Sequence, residues 1–553
     1  MRSFFWLART WTVLALLWVA AWAPSTTSAQ LAVPSAAIVD RVDDVIRQGE
    51  LLERERRWGD ALAYYEAAIK HHPNRAELQR RLDVARTHLD IARRLTDQSY
   101  LAALDHLSPQ EALELYAEVL LKIDTYHVNE PSWRHLVDRG MGNLDIALSE
   151  PAFVDRFPIP VSMDGARAFS QEVRAAVNLE AIASRNQAVD AVAVAAQVAA
   201  RRLGVPLQAA VMEFTCAAAA SLDQYSAYLT GNQLDEVFSQ IEGNFVGLGI
   251  ELKAEAGTLL IVHVIPGGPA AKAGMMAGER IVAIDGQATE TMSGDAAADL
   301  LKGAELSYVE CVLQAPNGGQ RVLRIQRRRV EVPSVQDIQM VDLENGVAYI
   351  KLTSFQKTTS RDVDAALWSL HRQGMRSLII DVRGNPGGLL NASVEVADKF
   401  LPSGVIVSTR GRSTREDFDY QAHNVGTWRV PLVVLIDGDS ASASEIFAGA
   451  IHDHGRGTVV GQRSYGKGSV QGIFPLSRYK SGIRLTTSKF YSPSGHPISD
   501  RGVIPNVEIR PDHTRVTARV TDTGEMLGAA LDPTLQAGLD AARAIAHRVG
   551  RAN

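Results

Sequence analysis

The residues best suited to chemistry lie in two short stretches. Ser442 sits in Asp437-Gly438-Asp439-Ser440-Ala441-Ser442-Ala443-Ser444-Glu445, and Lys467, 25 positions later, in Tyr465-Gly466-Lys467-Gly468-Ser469-Val470-Gln471. A serine hydroxyl needs a base to become a nucleophile. Histidine is the usual base, but His452 and His454 fall on the helix expected after Ser442, where a rise of about 1.5 Å per residue puts them roughly 15 Å too far along. Lysine is the other known partner of serine. Glycines on both sides of Lys467 imply a constrained backbone, and burial of the amine there favours its neutral form. Gln471 follows four residues on, so in a helical turn its amide orients the amine. Gly461, Gly466 and Lys467 also imitate a phosphate-binding loop, yet Gly468 stands where such a loop needs Ser or Thr for magnesium.

These residues need elements to hold them. From Val347 the chain alternates strand and helix. Val347–Lys351, Leu378–Val382 and Leu432–Ile436 read as buried strands; Asp362–Gln373, Leu389–Phe400 and Glu445–His454 read as helices. This rhythm predicts a mostly parallel sheet, whose ligand sites lie beyond the carboxyl ends of the strands. Two strand-to-helix turns fall there: the Ser442 stretch, and Asp381-Val382-Arg383-Gly384-Asn385-Pro386-Gly387-Gly388. Each leads into a helix start with outward N–H groups, so together they can supply two donors to one oxyanion.

Upstream, residues 244 to 332 show short apolar alternations with turns at Gly267-Gly268 and Asn317-Gly318-Gly319, which predicts a small β-rich unit ending near Val332-Pro333. Residues 30 to about 230 read as helical. Within them Ala61, Tyr65, Ala68 and Pro73 have the spacing of a tetratricopeptide-repeat helix, in a single copy that cannot stack into a solenoid.

The 553 residues carry a net charge of −6, which argues against a nucleic-acid partner. The run Arg327-Arg328-Arg329 reads as a solvated strand edge. Arg2 and Arg9, the apolar run Trp11–Ala23 and the small residues ending at Ala29 have the layout of a secretory signal, with an uncleaved anchor as the rival reading. Cys216 and Cys311 read as two buried free thiols, and no Cys/His cluster has metal-ligand spacing.

The Ser440–Glu445 and Gly466–Gln471 stretches, taken together, resemble the carboxyl-terminal processing peptidases (tail-specific proteases). Ser221–Ser226, Gly247-Leu248-Gly249-Ile250, Gly267-Gly268-Pro269-Ala270 with Ala273-Gly274, Asp381–Gly388 and Asp500–Asn506 agree in family order, over about residues 215 to 510. Glu279, where an aspartate is common, and Asp439, where a small residue is common, depart from the pattern. The resemblance implies a multidomain α/β protein: a crotonase-like (ClpP/crotonase) α/β protease core, a β-rich PDZ domain and an α-helical N-terminal region. The expected organisation is signal peptide 1–29, a tetratricopeptide-like hairpin region 30–95, a helical domain 96–235, the PDZ domain 236–332, the Ser/Lys peptidase core 333–510 and a tail 511–553.

The resemblance further implies Ser442 as nucleophile, Lys467 as general base, Gln471 as its orienting partner and oxyanion donors at Gly388 and Ala443, with Gly387 the fallback. Val246, Gly247, Leu248, Gly249 and Ile250 would form the peptide-binding loop, its amides taking a terminal carboxylate and its apolar side chains the last residue. No cofactor is implied. The expected partners are proteins with apolar carboxyl-terminal tails, and an adaptor or a second copy at the N-terminal helices, with an exported, periplasmic or extracytoplasmic location. The rival readings are an inactive PDZ-bearing scaffold and an esterase or acyl transferase using the same residues.

Overall fold

A computed structural model of the chain describes residues 42–157, 163–255, 258–290, 294–423, 425–510 and 532–550. The expected signal segment lies outside the described residues. Three helices, Val42–Arg54, Trp58–His71 and Ala76–Arg94, open the described chain. Of the residues at repeat-like spacing Ala61, Tyr65 and Ala68 are fully covered and Pro73 is exposed, and the Tyr65 ring lies so close over Gly49 that any side chain there would collide with it.

A helical bundle follows. Local capping sets several of its boundaries. Ser108, with Pro109 behind it, starts the helix Pro109–Tyr126 through a reciprocal capping box with Glu111, and Thr230 does the same with Gln233 for Gly231–Glu242. Gly204 and Gly243 end their helices in the left-handed conformation. The helix Leu207–Ala220 is buried from Ala209 to Ala219, and its core continues into Ile483 and Leu485 of the strand Gly482–Tyr491. The short strand Ala227–Leu229 pairs antiparallel with the start of that strand, so the bundle is joined to it by packing and by backbone.

The central sheet has the strand order Val335–Asp342, Val347–Leu352, Ser377–Asp381, Leu432–Ile436, Thr458–Gly461, Val507–Glu508. The first strand is antiparallel to the second, and the rest run parallel, as the strand–helix rhythm predicts. The middle strands are apolar on both faces because both faces are covered. Ile350, Leu378, Ile380, Leu432 and Val434 face the helices Thr359–Arg372, Leu390–Asp398 and Ala443–Asp453. Tyr349, Ile379, Val433, Leu435 and Val460 face a helix over Pro533–Gly550. That helix occupies the segment read from the sequence as a tail; its sparse apolar residues bury only against a sheet formed far upstream. A second, antiparallel sheet is centred on Gly482–Tyr491, flanked by Ser469–Pro475 and Val405–Gly411.

The strands Ile250–Glu255, Thr258–Val264, Arg280–Ile284, Tyr308–Gln314 and Gln320–Gln326 form a separate antiparallel sheet with its own core. Arg327 corrects the expectation of a solvated basic edge. It is buried, with its guanidinium donating to the carbonyls of Leu300 (2.7 Å), Leu301 (3.1 Å) and Tyr308 (2.7 Å), so it closes the end of the helix Gly294–Leu301. Arg328 and Arg329 are exposed. Cys216 and Cys311 are both free and buried.

Candidate active site

Strand Leu432–Ile436 ends in a turn that places Ser442 just before the helix Ala443–Asp453. Ser442 has φ 55° and ψ −112°, a conformation L-residues adopt only when their surroundings impose it. Here part of the constraint comes from the neighbouring turn and part from Glu445. Ala441 N and Ser444 Oγ both donate to the Asn385 carbonyl (3.0 and 2.9 Å), and Ser440 Oγ donates to Val382 O (2.8 Å). Asn385, fully buried, in turn donates to Leu352 O and accepts from Gly387 N, both at 2.9 Å.

Gly387 and Gly388 pack where no side chain fits. A Cβ on Gly387 would lie 2.8 Å from Ser442 Cβ and 2.9 Å from Ala443 N. A Cβ on Gly388 (φ 138°) would run into the Phe355 carbonyl. Phe355 N donates to Gly387 O (2.8 Å) and Leu389 N to Phe355 O (2.7 Å), clamping the backbone on either side of the Gly388 amide. Among the described residues neither Gly388 N–H nor Ala443 N–H donates to a protein acceptor, so both donors are uncommitted at the end of the sheet.

One carboxylate ties the two chemical stretches together. Glu445 is fully buried. One of its oxygens accepts from Ser464 Oγ (2.6 Å) and Gly466 N (2.6 Å), the other from Ser442 N (2.7 Å) and Lys467 N (2.9 Å). Burial pushes its pKa up, and these four donors oppose the rise. Lys467 rests with its ammonium nitrogen 4.9 Å from the centre of the Tyr225 ring. Burial, with a smaller push from the Arg484 charge, brings the amine down to about 8; Glu445 and Asp223 pull the other way.

A family model described as peptidase family S41 matches residues 346–509, and one described as a PDZ domain matches residues 260–307. A carboxy-terminal-processing protease of Bartonella bacilliformis is 37% identical over 304 residues, which cover 52% of this chain and 67% of that protein. The chain belongs to peptidase family S41. A carboxyl-terminal-processing protease of Picosynechococcus is 32% identical over 58% of this chain and 75% of its own length, and one of Synechocystis 37% identical over 47% of this chain and 61% of its own. Among solved structures, a photosystem II D1 C-terminal processing protease is 26% identical, covering 72% of this chain and 93% of that one with a TM-score of 0.37.

In this S41 protein Gln471 does not stand where a helical turn would put it. The chain after Lys467 enters the strand Ser469–Pro475, because its alternating side chains pair with Gly482–Tyr491. The Gln471 amide donates to Ser469 O (3.2 Å) and Ser469 Oγ (2.9 Å). Among the described residues no hydrogen bond joins the functional atoms of Ser442, Lys467 and Gln471; Glu445 brings the backbones of the first two together. His452 and His454 point elsewhere, to Asp453 and to the Val405 carbonyl. Asp453 supports the Ser492–Ser494 turn: burial alone would raise its pKa, but Ser492, Ser494 and His452 hold it at about 2.

In the loop Gly247–Ile250 the carbonyls of Leu248 and Gly249 accept from Ala270 and Ile265, both at 2.9 Å, while the amides of Leu248 and Gly249 have no backbone acceptor among the described residues. Gly249 has φ 78°, and Gly247 is covered by the Phe245 ring. Leu248 is buried in the core of the PDZ unit, whereas Val246 and Ile250 are half-buried. The helix Gly231–Glu242, which leads into this unit, reaches the segment clamping Gly388: Lys357 N donates to Ile241 O (3.1 Å) and Lys357 Nζ pairs with Glu242 (3.0 Å).

Sequence reasoning quoted Glu445 as part of a motif without a role. The available signal was Ser442-x-x-Glu445, the capping-box spacing that joins a carboxylate to the amide at a helix start. Tyr225, Asp223 and Arg484 carried no comparable signal, since they reach Lys467 only through the fold. Among the described residues no group of His, Cys, Asp and Glu is arranged to hold a metal ion, and no helix is long and apolar enough to cross a membrane.

Proposed function

We propose that this S41 protein is a serine endopeptidase that acts on the carboxyl-terminal tails of other proteins. The observation that carries the mechanism is Glu445 holding Ser442 N and Lys467 N at once, with the lysine amine buried and lowered to about 8. Lys467 takes the proton of Ser442 as its oxygen attacks a peptide carbonyl. The oxyanion forms against Gly388 N–H and Ala443 N–H. The protonated lysine then gives its proton to the leaving amine, leaving an acyl-enzyme, and the neutral amine activates the water that releases it. Gln471 orients the amine once substrate fills the site. No metal or organic cofactor takes part.

The PDZ loop, with its uncommitted amides at Leu248 and Gly249, takes the terminal carboxylate, and Val246 and Ile250 contact an apolar last residue. The N-terminal helices serve docking of an adaptor or a second copy. The basic and apolar start of the sequence directs the protein out of the cytoplasm.

The test is cleavage of an unfolded protein ending in an apolar residue, read by mass spectrometry, for the chain and for Ser442→Ala and Lys467→Ala. Cleavage by the unsubstituted chain alone is expected. Cleavage surviving either substitution would refute the mechanism. Absence of labelling of Ser442 by a serine-directed phosphonate would favour the inactive-scaffold reading.

A further inference from the structure

Lys467 does not face its site alone. Arg484 lies on the strand Gly482–Tyr491, opposite Ala227 on one side and Ile473 on the other. Its Nε donates to the Tyr225 carbonyl at 2.7 Å, while the ring of the same tyrosine lies under the Lys467 amine at 4.9 Å. Tyr225 therefore has a cation at each end. We propose that Arg484 is a positioning residue for Lys467: it fixes the tyrosine on which the amine rests and sets a permanent positive charge on the other side of that tyrosine. This rests on the reading of Lys467 as the general base.

An aromatic face by itself favours a charged lysine. The groups around the amine weaken that preference. Burial foremost, and then Arg484, oppose the charge, while Glu445, from the Ser442 helix, and Asp223, from the segment before Ala227, attract it. Both carboxylates are already engaged. Glu445 has its four donors. Asp223 accepts from Tyr225 N (2.7 Å), Ser226 N (2.9 Å), Ser226 Oγ (2.9 Å) and Thr486 Oγ1 (3.1 Å), and lies 3.0 Å from His127 Nε2. Arg484 feels the charges of Asp223 and Asp90, and the Tyr225 hydroxyl those of Tyr465, Asp500 and Glu445. Arginine suits the task because it stays charged throughout the working range, which a second lysine beside the first need not do.

The test is the pH dependence, between pH 6 and 10, of kcat/KM on an unfolded substrate and of Ser442 labelling by a small fluorophosphonate. It compares the full chain with Arg484→Gln, Arg484→Lys and Lys467→Ala, each checked for an unchanged melting profile. In Arg484→Gln the acid limb moves up by about one pH unit, so both rates at pH 7 fall about tenfold and recover at pH 10. Arg484→Lys restores a cation only while the new amine stays protonated, so it moves the limb part of the way back toward its original place. A uniform loss at every pH with the limb unmoved would mean a structural role only and overturn the inference. If Lys467→Ala keeps the original limb and rate, the lysine-base reading fails and this inference with it; a limb that depends on Lys467 but ignores Arg484→Gln sinks this inference alone.

Discussion

The two turns that meet at the end of the central sheet solve one problem by opposite means. The Asp381–Gly388 turn is shaped by missing side chains: Gly387 leaves room for Ser442, and Gly388 lets the backbone press against Phe355. The Ser442 turn is shaped by an added group, the buried Glu445 carboxylate, which holds a strained serine and the lysine loop together. One turn fails when an atom is added, the other when an acceptor is lost.

The sharpest way to break the first is Gly388→Ala. The methyl has no space and the residue has φ 138°, so a backbone shift or about 3 kcal/mol of strain is unavoidable. Single-turnover labelling and peptide cleavage should both fall by roughly a thousandfold, as for a lost oxyanion donor. For the second turn, Glu445→Gln keeps one acceptor oxygen and turns the other position into a donor facing donors. Cleavage should drop roughly a hundredfold, with a stability loss of about 2–3 kcal/mol in urea unfolding. Equal damage from Gly388→Ala and from an alanine at a remote glycine such as Gly142, which has open space around it, would show that the packing argument is misplaced.

Lys467 sharpens the comparison from the side of charge. Its folded pKa, about 8, lies below the ordinary 10.5. A base lowered in this way costs stability while protonated: the cost is full below about 8 and disappears as the pH rises through 10.5. Lys467→Met should thus abolish cleavage yet stabilise the fold at pH 7 by about 2–3 kcal/mol, with little gain at pH 10.5, in denaturant titrations at both pH values. In the unsubstituted enzyme kcat/KM should rise with pH through about 8. The smallest effect belongs to the PDZ loop. Amidating the substrate's last residue removes the carboxylate, raising KM about tenfold with kcat unchanged; an unchanged KM would detach the loop from tail capture.

What could be read from the sequence follows the range of the interactions. Leu432–Ile436 was legible to the residue, because a strand buried on both faces is a plain apolar run between turn residues. The helix after Ser442 was legible from the strand–helix rhythm, read from Glu445 where the structure starts it at Ala443. The backbone at Gln471 is a strand rather than the helical turn that a spacing of four suits, because it is decided by pairing with Gly482–Tyr491. Arg327 looked like its neighbours Arg328 and Arg329, and only the end of a distant helix distinguishes it. The helix Pro533–Gly550 hid because its apolar positions make sense only against Val433 and Leu435.

That last helix has a consequence for how the protein is made. Asp532, at its start, binds Arg383 (2.6 Å), and Arg383 also grips the buried Asp381 at the head of the Gly-rich turn. A ribosome delivers residues 333–510 first, so the central sheet emerges with one apolar face bare and Arg383 missing one of its two carboxylates. Both are supplied when residues 532–550 arrive. The bracing of the Gly-rich turn is thus completed last, by the stretch of chain made after everything it braces.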